Sequence, residues 1–205
     1  MPDTPRPDLF ADQAADWDDR PIPAQISAGV FSALTRAVEL TPDLRVLDFG
    51  AGTGLIATQI APRVARVLAV DVSAAMLEKL ATKEVDGRLE VRCQNLLEAP
   101  LGESVDLIVS AMALHHVRDT KALFAAFFDH LNPGGRVSLA DLDAEDGDFH
   151  PPGMDGVFHD GFDRDALAAI ALGAGFVEPQ FVTALQVHKE DKAYPVFLMT
   201  AAKPS

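Results

Sequence analysis

Residues 45–54, RVLDFGAGTG, set glycines at 50, 52 and 54 directly behind a short apolar run that Asp48 interrupts. Val46 and Leu47 read as a buried strand that stops at the glycines. Flexible residues at the end of a buried strand imply that something approaches the backbone more closely than a side chain would allow. The following TGLIATQIAP reads as a helix stopped near Pro62. A helix start offers free N–H groups and roughly half a positive charge, so an anionic group could be held there by backbone alone. Asp71 lies 21 residues beyond Gly50, at the end of a second apolar run, ARVLAVD. A carboxylate at that place in an open α/β sheet accepts hydrogen bonds from both ribose hydroxyls. A tight turn plus an unrelated surface Asp is the competing reading. The two features together, at the spacing a nucleoside requires, weigh against it.

Outward from this stretch, strands alternate with helices. Ile26, Val30, Leu34 and Val38 recur at helical spacing between Ala24 and Leu40. After the second strand comes the helix SAAMLEKLATK, with Ser73 as its N-cap. RLEVRC and SVDLIVSAM are a third and fourth strand. DTKALFAAFFDHL is a helix closed by NPGG, and GRVSLADLD is the fifth strand. This rhythm calls for an α/β fold, a mostly parallel sheet with helices on both faces. Beyond Asp143 the rhythm breaks into a polar Gly- and Pro-containing loop, the helix FDRDALAAIALGAG, and two strands joined by KEDK that suit an antiparallel pair. One domain over 1–205 is expected: an N-terminal helical segment at 1–40, a ligand-binding half at 41–143, and a loop, helix and strand pair at 144–205. In the N-terminal segment LFADQAADW suits a short helix that brings Phe10 and Trp17 to one side.

Composition narrows the functions. At 205 residues the chain can bury roughly 70% of its unfolded surface without staples. No apolar run approaches the ~20 residues of a membrane span. The first 19 residues hold six Asp and one Arg and no apolar core, so no secretory leader is expected. The one cysteine, Cys93, forbids an internal disulfide and reads as a small core residue of its strand. A cytoplasmic protein is expected. The formal charge is −14, and Arg63, Arg66, Lys79, Lys83, Arg88 and Arg92 are spread over several elements. A phosphate backbone needs clustered basic residues, so a nucleic-acid partner is not expected.

The glycine pattern is G-x-G-x-G, with Leu55 directly after Gly54, rather than the dinucleotide G-x-G-x-x-G. Here the sequence resembles the class I S-adenosylmethionine-dependent methyltransferases. The blocks that carry the resemblance are VLDFGAGTG, LAVDVSAAML, QNLLEAP, VDLIVSAMALHHV and LNPGGRVSLAD, in order from Val46 to Asp141. It implies a Rossmann-like three-layer α/β/α fold with a seven-stranded sheet, the last strand antiparallel and inserted beside the fifth. It also implies S-adenosyl-L-methionine as cofactor. Asp48, Gly50, Ala51, Gly52 and Gly54 would surround its methionine part. Asp71 would hold the ribose, and Val72 and Met76 would lie beside the adenine. Asn95, with Leu96 after it, stands where the family often has Asp facing the adenine amino group. The backbone of Ser110 and Ala111, through Met112, would pass the methyl-bearing sulfur.

Transfer from an activated sulfonium needs alignment above all, and alignment supplies part of the roughly 7–11 kcal/mol available from proximity. A general base adds roughly 10²–10⁴-fold where the acceptor must lose a proton. His115 and His116, after the fourth strand, are the candidates, with His115 ranked first. The alternative is a His pair that caps a short helix or bonds a backbone carbonyl. His150 and His159 lie in the loop where family members build an acceptor lid. Their spacing matches no metal motif, so no metal is expected. Phe10 and Trp17 either fold over the acceptor or pack as core. The expected acceptor is a small neutral or cationic molecule, because nine acidic residues and one Arg lie between Asp141 and Asp165. Two rivals stand beside this reading: a non-catalytic binder of S-adenosylmethionine or S-adenosylhomocysteine, and an NAD-dependent oxidoreductase.

Overall fold

A computed structural model describes residues 8–83, 85 and 87–205. Residues 1–7, part of the segment read as leaderless, lie outside the described residues. The strands are β1 (Arg45–Phe49), β2 (Arg66–Asp71), β3 (Leu89–Cys93), β4 (Val105–Ala111), β5 (Leu131–Leu142), β6 (Val177–Lys189) and β7 (Lys192–Ala202). They form a seven-stranded sheet in the order β3-β2-β1-β4-β5-β7-β6. β1 to β5 are parallel neighbours, and β7 runs antiparallel to both β5 and β6. Strand order reverses at β1, which pairs with β2 on one side and β4 on the other, so the switch point opens above their carboxyl ends.

The helices are α1 (Pro21–Ala37), α2 (Ala57–Ile60), α3 (Ala74–Ala81), α4 (Thr120–His130) and α5 (Arg164–Gly173). Strands buried on both faces alternate between two cores. Val46, Val67 and Ala69 pack with Ile26, Val30 and Leu34 of α1 and with Leu77 and Leu80 of α3. Leu47, Leu68 and Val70 pack with Leu123, Phe124 and Phe127 of α4 and Leu167 of α5. This two-sided burial is what near-continuous apolar runs in a parallel sheet require. Side chains start three of the helices. Ser73, Asp119 and Asp163 accept from the backbone N–H of Met76, Ala122 and Ala166.

Four expectations shift. The helix anticipated behind the glycines is only one turn, Ala57–Ile60, continued by a 3₁₀ turn at Ala61–Arg63 where Pro62 breaks the ladder. The expected helix-start field is therefore slight. β5 begins at Leu131, so NPGG lies inside the strand at a register shift against β4 rather than ahead of it. Cys93 is exposed because β3 is an edge strand. The N-terminal segment makes two 3₁₀ turns, Ala11–Gln13 and Trp17–Asp19, instead of one helix, and the Phe10 and Trp17 rings still meet edge to face at 6.2 Å.

Candidate active site

At the carboxyl end of β1 the chain folds back over β2. The N–H groups of Gly50 and Ala51 both donate to the Val70 carbonyl, and Gly54 N–H donates to the Ala51 carbonyl. All three glycines have positive φ, 67°, 54° and 81°, a region that costs other residues roughly 1–2 kcal/mol. Only one of them faces free space. A Cβ on Gly50 would lie 2.3 Å from the Cβ of Ala113, and one on Gly54 would lie 2.1 Å from Leu80. A Cβ on Gly52 meets nothing within 4 Å. Two of the glycines thus admit close approach by the protein itself, and Gly52 leaves backbone open to a ligand.

Asp71 closes this loop. Its Oδ2 accepts from Gly52 N–H at 2.7 Å and its Oδ1 from Ser73 N–H at 2.8 Å. Burial raises its pKa, against the lowering effect of those bonds. Asp48 is 2% exposed and its Oδ2 has no partner among the described residues. Burial first, and the Asp71 charge second, push its pKa up to about 8. An orphaned buried carboxyl beside an open loop fits a cationic group such as an α-ammonium, which would pair with it as a carboxylate. Val72, directly after Asp71, is an apolar side chain 64% exposed, and Met76 is buried.

The remaining cofactor candidates are less free. The Asn95 carboxamide is held locally, its Nδ2 donating to Glu98 and its Oδ1 accepting from Leu97 N–H. Leu96 is buried in the core. Ser110 is buried with an unpartnered Oγ, and Ala111 is half-buried. Met112 follows with φ 59°, its N–H donating to the Ala140 carbonyl.

A short 3₁₀ turn, Leu114–His116, carries the histidine pair. His115 is 1% exposed; its Nδ1 lies 2.7 Å from Asp141 Oδ1 and its Nε2 lies 3.2 Å from His150 Nε2. Asp141, at the end of β5, is fully buried and also accepts from the N–H groups of His115 and Leu142. His116 Nδ1 meets the Gly156 carbonyl at 2.7 Å, and the Phe10 ring stands edge-on to it at 5.2 Å. His159 Nε2 bonds the Val117 carbonyl. Burial, then the neighbouring His115, lowers the pKa of both His116 and His150 to about 4. Asp141 and His150 were missing from the sequence-derived candidates. Only the polar residue at a strand end, and the histidine in the loop behind it, could have signalled them.

The N-terminal segment lies over both groups. Asp8 Oδ2 accepts from Ser73 Oγ and Ala75 N–H, and Asp18 bonds Thr53 Oγ1 and Lys83. Arg66 and Arg92 share Glu90 and Glu103 across the β2–β3 edge. These arginines are neutralised where they stand. No His/Cys/Asp/Glu group able to hold a metal occurs among the described residues. No helix there is long and apolar enough to cross a membrane.

Residues 46–135 match the family model described as a methyltransferase domain. An uncharacterized methyltransferase of Mycobacterium tuberculosis is 33% identical over 95 residues, 46% of this chain and 48% of that protein. A trans-aconitate 2-methyltransferase of Deinococcus radiodurans is 38% identical over 100 residues, 48% of this chain and 38% of that one. The chain thus spans about half the length, or less, of these relatives. Among solved structures, the DhpI–SAH complex superposes with a TM-score of 0.75 at 22% identity, covering 97% of this chain and 95% of that one. The Rossmann-like sheet and the glycine loop agree with the methyltransferase-domain match over residues 46–135 and with the fold of that solved structure.

Proposed function

We propose that the protein transfers a methyl group from S-adenosyl-L-methionine to a small-molecule acceptor in the cytoplasm, as a single domain over residues 1–205. The observation that carries this reading is the buried Asp48 carboxyl, whose Oδ2 has no partner among the described residues, four residues before the open Gly52 backbone. Asp48 receives the cofactor's ammonium, Gly50 to Gly54 line its methionine part, and Asp71 turns its remaining lone pairs to the ribose. Val72 and Met76 cover the adenine, with Asn95 and Leu96 at its edge. Ser110 and Ala111 lead the chain past the sulfur. The cofactor supplies a methyl already activated on a sulfonium, so the protein's task is to align the acceptor and exclude water.

The acceptor enters between the N-terminal segment and the loop after β5, beside His115 and His116. Of the loop's carboxylates, Asp143 is paired with Arg164, and Asp146 and Asp148 with Lys192. Asp155, Asp160 and Asp165 still favour a neutral or cationic acceptor over a polyanion.

Thermal melting tests the cofactor. S-adenosylmethionine or its demethylated product at a hundred times its dissociation constant adds ~2.7 kcal/mol, a rise of about 5–10 °C for this chain length. A rise with NAD alone sinks the reading in favour of an oxidoreductase. A rise with S-adenosylmethionine, but no methyl transfer to any acceptor, leaves a non-catalytic binder.

A further inference from the structure

We propose that the group which takes the acceptor's proton is His150, with His115 and Asp141 as positioning residues behind it. This rests on the methyltransferase reading above.

The hydrogen bonds fix the tautomers one after another. Asp141 already accepts from two backbone N–H groups, and as a carboxylate it has only acceptor sites to offer. The contact with His115 Nδ1 therefore places the proton on that nitrogen. Neutral His115 then has a lone pair at Nε2. The 3.2 Å contact with His150 Nε2 requires the proton to lie on His150. His150 is left with a bare Nδ1, which meets no described group. It is half-buried, whereas His115 is closed off at 1% exposure and has both nitrogens engaged. His115 therefore cannot reach an acceptor without breaking the chain it belongs to.

His116 also has a bare nitrogen, Nε2, because its Nδ1 donates to the Gly156 carbonyl. A proton placed there would have only that carbonyl behind it. A proton placed on His150 Nδ1 is answered at Nε2 by the His115 lone pair, and the charge is passed toward the buried Asp141 carboxylate. The acceptor oxygen forms its bond to the methyl carbon as the carbon–sulfur bond breaks and its electron pair leaves with sulfur. The hydroxyl proton goes to His150 Nδ1. An oxygen becomes strongly acidic as it is alkylated, so a weakly basic imidazole suffices.

Two measurements test this on the full chain. Long-range nitrogen–proton NMR of the imidazoles, with S-adenosylhomocysteine added, should find His115 protonated on Nδ1 and His150 on Nε2. Asp141→Asn should disturb both patterns. His150 protonated on Nδ1 in the wild type overturns the proposal without need of any acceptor. Methyl transfer is then measured with benzyl alcohol, phenol and benzylamine as probes. Turnover is expected on the hydroxyl compounds. His150→Gln should lower kcat ~10²-fold or more with S-adenosylmethionine affinity unchanged, and free imidazole should restore part of the activity of His150→Ala. Equal rates in wild type and His150→Gln, or a loss confined to His116→Gln, each overturn it. A wild type that binds no S-adenosylmethionine in calorimetry removes the methyltransferase reading instead, while the tautomers remain readable.

Discussion

The two sides of the site are built at different ranges along the chain. The side proposed for the cofactor lies almost wholly within residues 48–76: the glycine loop, the Val70 carbonyl that holds it, and the carboxylates of Asp48 and Asp71. The histidine side gathers Phe10, His115, His116, Asp141 and His150, whose order in sequence says nothing about their contact. One side tolerates little change in backbone shape and the other little change in side-chain chemistry. The same substitution size should therefore have different consequences on each.

The largest effect is expected where shape rules. Gly50→Val places a Cβ against Ala113 at a φ that valine resists. Overpacking costs about 1–3 kcal/mol and the left-handed backbone about 1–2 more. Cofactor binding should vanish in calorimetry, and Tm should drop by about 2–4 °C for each kcal/mol. Gly52→Ala separates shape from ligand contact. Its Cβ enters open space, so Tm should fall only by the backbone penalty, while affinity for S-adenosylmethionine falls at least ~10-fold as the methyl group meets the ligand. Wild-type affinity in Gly52→Ala would detach the loop from the cofactor.

Asp71→Ala comes next. Charged hydrogen bonds contribute roughly 1.5–3 kcal/mol each, so affinity should fall by about 2 kcal/mol or more. From its strand-end position alone Asp71 looks dispensable to the fold. The structure gives it Gly52 and Ser73 N–H as partners, and leaving these unpaired adds about 1–3 kcal/mol of destabilisation. Urea melts of the unliganded variant check this second loss. Unchanged stability would mean that water replaces the carboxylate and the loop is held by Val70 alone.

Asp48 gives the comparison a pH axis. Its folded pKa of about 8 stands above the ordinary value of about 3.9, so between these values the folded state holds a proton that the unfolded state has lost. Its contribution to stability is complete below pH ~4 and declines as pH rises through about 8. Asp48→Asn removes that decline. Without cofactor the variant should be more stable than wild type at pH 9 and close to it at pH 4, and it should bind S-adenosylmethionine more weakly. Parallel stability curves for the two proteins from pH 4 to 9 would show that Asp48 is already ionised in the empty site.

How far the sequence announced these features follows the same division. The alternation of strands and helices and the Ser73 cap were legible because apolar runs and turn residues report local structure, and the inserted antiparallel β7 came with the resemblance carried by the blocks between Val46 and Asp141. The Gly50 and Gly54 contacts were not, since Ala113 and Leu80 approach from elements far along the chain. The one-turn α2 was overestimated, because Leu55 and Ile56 keep helical spacing even though the chain is still turning there. Cys93 was placed inside because its strand has apolar neighbours, and only the sheet order reveals that β3 has no outer neighbour. The pairing of Asp141 with His115 needed the β4–β5 register, which places their strand ends side by side.

The smallest effect is expected at a connection between the two sides, the N-terminal segment. It touches α3 through Asp8, the glycine loop through Asp18 and Thr53, and the histidines through Phe10. Lys79 holds the Ala15 carbonyl, and Lys83 pairs with Asp18 at 2.7 Å. Burial raises the pKa of Asp18, but the bonds from Lys83 and Thr53 carry it below the ordinary range. An ion pair of this kind contributes about 1 kcal/mol, and the buried Thr53 hydroxyl loses its acceptor, so Asp18→Ala should lower Tm by only a few degrees, about 2–4 °C for each kcal/mol. Under the proposed lid role of this segment the kinetic consequence is larger than the energetic one, because a ligand beneath it leaves when the segment lifts. Dissociation of S-adenosylhomocysteine should quicken several-fold in Asp18→Ala, with the histidine tautomers untouched. Trp17, the chain's one tryptophan, lies in this segment between Phe10 and Arg20 and reports its movement by fluorescence. In stopped-flow displacement, equal rates for wild type and Asp18→Ala would mean that the segment covers the site without gating it, and that the two sides are coupled through the sheet instead.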